Sequence, residues 1–247
     1  MIKVAVVGAA GRMGTTVVRA VEAASDMEVV AALDMDDDVS VAVHAGADVA
    51  VDFTVPDATE RNVLALIDAG IHSVVGTTGW TQEPLTRVRN ALEARPELGV
   101  LIAPNFALGA VLAAKFAAQA APFFESVEVV EYHHPDKEDA PSGTAAHTAD
   151  LIAEARRQHG VAPSPDATRH DPDGSRGARI DDVHVHAVRL RGMLAHEEIL
   201  LGNEGEVFTL RHDTSSRSAF MPGVLLGIRK VAHHPGLTVG LDTYLDV

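Results

Sequence analysis

The chain has 247 residues, 47% hydrophobic and 22% charged, enough for one large domain or two modest ones with a sizeable core. A formal net charge of −15 and few aromatics argue against a nucleic-acid binder, which needs Lys and Arg on phosphates and rings to stack on bases. The absence of cysteine excludes disulfides, thiolate chemistry and cysteine-held zinc or iron–sulfur sites.

The N-terminal apolar run stops at Gly8. It is too short for a signal peptide and reads as a buried strand over residues 2–7. No stretch reaches the roughly 18 apolar residues of a membrane span, so a soluble, cytoplasmic protein without membrane partners is expected. Helical spacing follows over residues 14–24, with Val17, Val18 and Val21 on one side, then a strand over 27–33 ending at Asp34. The same alternation continues: apolar strand 47–53, helix 58–69, strand 73–75, helix 82–95 and strand 99–103. Strands alternating with helices predict a Rossmann-like, doubly wound parallel α/β sheet.

The pattern changes after Asn105. A long apolar helix is expected over 108–124, a strand over 127–132 and a helix over 143–158. Residues 160–182, rich in Pro, Gly, Asp and Ser, read as a mobile loop. Strand-like runs at 183–190, 193–202 and 206–212 follow in close succession, predicting a second, α+β domain with a mixed or antiparallel sheet. A helix over 218–232 and a strand over 237–241 close the chain.

Gly8, Ala9, Ala10, Gly11, Arg12, Met13 and Gly14 lie between the first strand and first helix, where a dinucleotide fold places its phosphate-binding turn. Glycines there allow a sharp turn and close approach to a pyrophosphate, and the helix N-terminus offers N–H donors. The spacing is GxxGxxG rather than GxGxxG. Asp34, 20 residues after Gly14 at the end of the second strand, suits the hydroxyls of an adenosine ribose. Two later turns, Gly76-Thr77-Thr78-Gly79 and Ala103-Pro104-Asn105-Phe106, follow strands of the same sheet. Ligands of open α/β sheets lie at those strand ends, so both turns are placed to touch the cofactor.

The segment Glu131-Tyr-His-His-Pro-Asp-Lys-Glu-Asp-Ala-Pro-Ser-Gly-Thr144 is the densest polar stretch. His133, His134 and Lys137 put three cationic or protonatable groups within five residues. Ser142 is positioned to cap the next helix, with Gly143 and Thr144 N–H groups able to hold a carboxylate. Together they suit an anionic substrate that gains a hydride and a proton. A metal is the alternative. Adjacent His133 and His134 point apart on an extended segment; His184 and His186 share a strand face but have no third-ligand motif nearby, so no metal is assigned.

The motifs VGAAGRMG, VDFT, GTTGW, APNFALG and EYHHPDKEDAPSGTA, in this order, resemble dihydrodipicolinate reductase (4-hydroxy-tetrahydrodipicolinate reductase) of bacterial lysine and diaminopimelate synthesis. The resemblance spans nearly the whole chain, and VHAVRL and RHDTSSRSAFMPGVL are most similar to actinobacterial members. It implies a dinucleotide-binding domain over 1–106 and 217–247, a substrate-binding and tetramerisation domain over 107–216, and a homotetramer. It implies that Gly8 to Met13, Asp34, Gly76, Thr77, Thr78, Ala103, Pro104, Asn105 and Phe106 contact NADH or NADPH. His133 matches a proton donor or acceptor and Lys137 a second donor; His134, Gly143 and Thr144 match positions that hold a six-membered nitrogen ring bearing two carboxylates. One departure concerns cofactor choice: Met35, not a base, follows Asp34.

Two other functions compete. An amino-acid dehydrogenase of similar build gives no reason for the HHPDK…SGT cluster. A redox-sensing module would carry a basic DNA-recognition helix, and none is visible.

Overall fold

A computed structural model describes residues 1–245. The chain divides into two compact units, Met1–Ala107 together with the segment that begins at Arg217, and Leu108–Ser216. Among the described residues no helix is long and apolar enough to cross a membrane.

The first unit contains β1 (Ile2–Val7), α1 (Arg12–Glu22), β2 (Met27–Leu33), α2 (Ser40–His44), β3 (Val49–Asp52), α3 (Pro56–Asp68), β4 (His72–Val75), α4 (Gln82–Glu93) and β5 (Gly99–Ile102). The strands form a parallel sheet in the order β2-β1-β3-β4-β5, extended by a last strand, Gly236–Val239, beside β5. Neighbouring residues of β1 are buried on both faces, Val4 and Val6 as well as Ala5 and Val7. Burial on both sides is what a central parallel strand requires. Ala5, Val7, Leu33, Ala50 and Leu66 belong to one apolar cluster, and Val63, Val75, Val88, Val100 and Ile102 to another. The chain passes from β1 to β2 on one side and returns to β3 on the other, so the strand order reverses at β1. The carboxyl ends of β1 and β3 are therefore the expected ligand position.

The second unit contains α5 (Leu108–Ala120), β6 (Ser126–His133), α6 (Gly143–Gln158), β7 (Ala178–Ile180), β8 (Val183–Arg189), β9 (Ala195–Asn203) and β10 (Glu206–Thr214). Its sheet runs β10-β9-β6-β8-β7. It is mixed, because β6 and β8 are parallel while the other neighbours are antiparallel. The apolar face, with Val127, Val129, Val185, Ile199 and Leu201, packs against Ala113, Ala117, Ala145, Ala149 and Ile152 of α5 and α6.

Several sequence expectations need correction. Helix α1 starts at Arg12, inside the glycine turn, rather than at residue 14. The helix expected to run to residue 124 ends at Ala120 and tightens into a 3-10 turn at Ala121–Phe123, where Pro122 lacks the N–H to continue it. The helix expected over 218–232 is a 3-10 turn, Arg217–Phe220, followed by α7 (Met221–Lys230) with Pro222 in its first turn. The last strand, Gly236–Val239, is β11. Residues 160–182 are not a free loop: β7 pairs with β8, Ser164 Oγ accepts from the Val127 N–H at 3.2 Å, and Arg176 pairs with Glu128 and Asp166. A three-residue strand is too short to show alternation. Helix α2 was not anticipated; five residues carry too little periodicity to reveal it.

Candidate active site

At the carboxyl end of β1 the glycines are required by geometry. Gly8 has φ +81°, and a Cβ on it would lie 2.7 Å from the Phe53 carbonyl oxygen. A Cβ on Gly14 would lie 2.0 Å from the Gly8 carbonyl oxygen, so the first turn of α1 rests directly on the loop. Gly8 and Ala9 donate N–H bonds to the Leu33 carbonyl at 2.8 and 2.9 Å. Gly11, the N-cap of α1, brings no side chain to the first-turn N–H groups. They are left available to an anion. Asp34 is exposed and binds the same loop: its carboxylate accepts from the Ala10 N–H at 3.1 Å and the Met35 N–H at 2.9 Å. A narrow glycine cradle, an uncapped helix N-terminus and an exposed acid at the end of β2 fit a nicotinamide dinucleotide.

The two later turns are held by a buried hub. Asp52, fully buried at the end of β3, accepts hydroxyl bonds from Thr54 at 2.8 Å, Thr59 at 3.2 Å and Thr77 at 2.9 Å, and an amide bond from Asn62 at 3.0 Å. Thr77 is thus buried with its hydroxyl proton committed to Asp52, whereas Thr78 is exposed. Gly76 has no room for a Cβ, which would lie 2.0 Å from the Phe53 ring. Phe53 in turn meets the buried Phe106 ring at 5.8 Å between centroids. Asn105 Oδ1 accepts from the Ala107 N–H at 2.8 Å, and Pro104 is exposed beside the buried Ala103.

In the second unit the polar segment leaves β6 at His133 and enters α6 at Gly143. Ser142 caps α6 by accepting the Ala145 N–H at 3.2 Å. A Cβ added to Gly143 would meet nothing within 4 Å, so open space lies before this helix N-terminus. Thr144 sits in the same first turn and is partly buried. Lys137 pairs with Asp139, and its N–H is donated to the His134 carbonyl at 3.2 Å. Burial opposes ionisation of Asp139, but the hydrogen bond and charge of Lys137 hold its carboxyl below the usual range.

Sequence reading missed the groups that organise this segment. Glu131 is fully buried on β6. Its Oε1 accepts from Arg189 Nη2 at 2.9 Å and the Ser142 N–H at 3.1 Å; its Oε2 accepts from Arg189 Nη1 at 2.8 Å and His133 Nδ1 at 2.5 Å. Burial alone would raise the Glu131 pKa, yet the bonds from His133 and Arg189 bring it down to about 2. An ionised Glu131 makes Nδ1 of His133 the protonated nitrogen and leaves Nε2 for chemistry. Glu197 on β9 is also buried; Thr148 donates to its Oε1 at 2.8 Å, and Oε2 has no hydrogen-bond partner. Burial, opposed by Thr148 and reinforced by the charge of Glu131, pushes its pKa up to about 7. The period-two run Val127, Val129, Glu131 was a visible signal that an acid sits on the core-facing side.

His184 and His186 face carboxylates rather than a shared ion. His186 Nε2 lies 2.5 Å from Glu128, His184 Nε2 lies 3.9 Å from Asp166, and Arg176 joins both acids. Among the described residues no group of three or more His, Cys, Asp or Glu is arranged to hold a metal ion.

Comparison with known proteins covers both units. Residues 2–106 match the family model "Dihydrodipicolinate reductase, N-terminus", and residues 109–245 match "Dihydrodipicolinate reductase, C-terminus". The chain is 62% identical to the 4-hydroxy-tetrahydrodipicolinate reductase of Beutenbergia cavernae, over 100% of this chain and 99% of that protein. It is 59% identical to that of Streptomyces coelicolor, over 100% of this chain and 98% of the relative. Among solved structures it resembles a dipicolinate-bound dihydrodipicolinate reductase from a Paenisporosarcina species, with TM-score 0.87, 38% identity and coverage of 99% of this chain and 100% of that one. Amine dehydrogenase from Mycobacterium smegmatis, at 12% identity and TM-score 0.64 with 98% and 95% coverage, shares the fold alone. With both halves matched and relatives aligned from end to end, the chain belongs to the dihydrodipicolinate reductase family.

Proposed function

We propose that the protein reduces 4-hydroxy-tetrahydrodipicolinate to tetrahydrodipicolinate with NADH or NADPH, in lysine and diaminopimelate synthesis. The observation that carries this reading is one segment, His133 to Thr144, which combines a carboxylate-backed imidazole, an ammonium and an open helix N-terminus. When bound, the reduced nicotinamide supplies a hydride. The remaining tasks fall to the chain. Gly8, Ala9, Ala10, Gly11, Arg12 and Met13 receive the pyrophosphate, and Asp34 the adenosine ribose. Gly76, Thr77 and Thr78 line the cofactor with Ala103, Pro104, Asn105 and Phe106. Because the Thr77 hydroxyl is held by Asp52, its share is through the backbone.

In the second unit Gly143 and Thr144 hold one substrate carboxylate at the N-terminus of α6, and His134 and Lys137 meet the rest of the anionic ring. The ring hydroxyl leaves as water together with a neighbouring ring hydrogen, and hydride addition to the resulting conjugated ring leaves it electron-rich. His133, through Nε2, supplies the proton, with Lys137 as a second donor. Residues 1–106 with 217–247 serve the cofactor, and 107–216 serve the substrate and assembly. We further propose a cytoplasmic homotetramer. Support for assembly is the exposed pair Val207 and Phe208 on the edge strand β10, a surface that favours burial against another chain.

The test is oxidation of NADH and NADPH by the purified protein, with substrate made in situ by dihydrodipicolinate synthase. Turnover that requires the synthase product is expected. Cofactor oxidation with amino or keto acids instead would assign a different dehydrogenase. Light scattering after size exclusion tests the tetramer.

A further inference from the structure

Glu131 and His133 are two residues apart on β6, so both project from the same face. Val127 and Val129 precede them on that face and are buried in the core. Replacing the next core residue by a carboxylate is costly unless every lone pair is used. Here each is used: Arg189 clamps both oxygens, Ser142 takes one and His133 the other. The charged groups around it are Arg189 from β8, His133 on its own strand and Glu197 from β9, with His212 of β10 beyond Glu197. Ser142, the N-cap of α6, gives it an N–H.

We propose that Glu131 is a positioning residue for the reduction, acting through His133 and Ser142 without touching the substrate. This rests on the role given to His133 above. One buried carboxylate sets two things at once. It fixes the His133 tautomer, keeping the proton on Nδ1 so that Nε2 delivers its proton and is left bare afterwards. It also anchors the residue before Gly143, so the carboxylate-binding end of α6 keeps a fixed distance from the imidazole. Arg189 supplies the opposite charge that makes burial of Glu131 tolerable, and its Nη2 reaches the Asp139 carbonyl at 2.7 Å, tying the intervening loop to the same hub.

The experiment compares wild type, Glu131→Gln and His133→Gln in the full chain. Nitrogen-15 spectra of the imidazoles report tautomers, and the resonance lost in His133→Gln identifies His133. In wild type, neutral His133 is expected to carry its proton on Nδ1. A proton on Nε2 would overturn the proposal, and this measurement needs no buried substitution to fold. A carboxylate behind a catalytic imidazole is worth up to about 10⁴ in kcat. With Arg189 remaining, Glu131→Gln is expected to lose roughly 10–100-fold in kcat, to shift neutral His133 toward Nε2–H and to keep its NADH affinity. Wild-type kcat in Glu131→Gln beside a slow His133→Gln would remove Glu131 and leave the proposed function standing. Wild-type kcat in His133→Gln would instead sink the role of His133, and the role of Glu131 with it.

Discussion

Glu131 and Glu197 stand directly opposite each other across the antiparallel strands β6 and β9, on the face that carries the core. The rungs before them are apolar pairs, Val127 with Leu201 and Val129 with Ile199. Like charges on facing strand positions repel, and burial magnifies the effect. The two acids escape by titrating far apart: burial notwithstanding, His133 and Arg189 bring Glu131 down to about 2, whereas burial and the charge of its neighbour push Glu197 up to about 7, so below neutral pH a protonated Glu197 faces an ionised Glu131.

That division predicts two separate pH windows for stability. Glu197 has a folded-state pKa of about 7 against an unfolded reference of 4.5. Its contribution is full below about 4.5 and is lost as pH rises through about 7. Relative to Glu197→Gln, the wild type should therefore weaken from pH 5 to pH 8, by up to the order of 3 kcal/mol. Glu131 has the reverse sign: about 2 when folded, against 4.5. Its contribution is present above about 4.5 and lost as pH falls through about 2. Urea midpoints across pH read both. Parallel curves for wild type and Glu197→Gln between pH 5 and pH 8 would show that Glu197 is already ionised at the lower end.

Two glycines should separate packing from binding. Gly14→Ala forces a methyl against the Gly8 carbonyl, so α1 must lift from the loop. It should lose about 1–3 kcal/mol of stability and bind NADH more weakly. Gly143→Ala meets open space and should leave the melting temperature unchanged or higher. Its methyl would intrude on the substrate carboxylate, so KM for substrate should rise about 10-fold, as for a lost charged hydrogen bond. Calorimetry, NADH titration and substrate KM distinguish the two. Unchanged KM in Gly143→Ala would take the α6 N-terminus out of the substrate site.

Cofactor choice follows from the end of β2. Asp34 is exposed and negative, and the next residue, Met35, is 90% exposed with no charge. A ribose diol suits that carboxylate; a 2′-phosphate meets repulsion, with Arg12 the base within the glycine turn. NADH should be used at least as well as NADPH, and Asp34→Asn should shift kcat/KM toward NADPH. Steady-state kinetics with both cofactors decide it. A strong NADPH preference in the wild type would mean that a base outweighs Asp34.

The parallel sheet was legible because β1, β2 and β5 are short apolar runs that stop at glycine, acid or proline, and because helices separate them. Ser142 as a cap and the glycine turn were legible for a similar reason: each is a local device with a fixed spacing. The hub around Asp52 was not, since Thr77 lies 25 residues away and joins it only once β3 and β4 pair. Arg189, 58 residues from Glu131, is invisible for the same reason. Alternation places Glu131 and Glu197 on a buried face, but only strand register sets one against the other.

The chemical step tests the site most directly. His133 is held by Glu131 through Nδ1, so its Nε2 is the nitrogen free to exchange a proton. Lys137 is paired with Asp139 and adds positive charge to the same segment. Loss of a general acid lowers kcat by about 10²–10⁴, whereas loss of uniform binding raises KM. His133→Gln keeps polarity and much of the volume but cannot deliver a proton near neutral pH, so kcat should fall by roughly that factor with a smaller change in KM. Lys137→Met keeps much of the length without the charge; if the ammonium has the proposed double role of attracting the anionic ring and offering a proton, kcat should fall and KM rise together. NADH affinity should survive both substitutions, since His133 and Lys137 belong to the unit Leu108–Ser216 and the glycine turn and Asp34 belong to the other. Single-turnover rates with NADH, read beside equilibrium NADH binding, measure the two effects separately. A Lys137→Met enzyme altered in KM alone would reduce Lys137 to an anchor. A His133→Gln enzyme at the wild-type rate would hand the proton to Lys137 or to water.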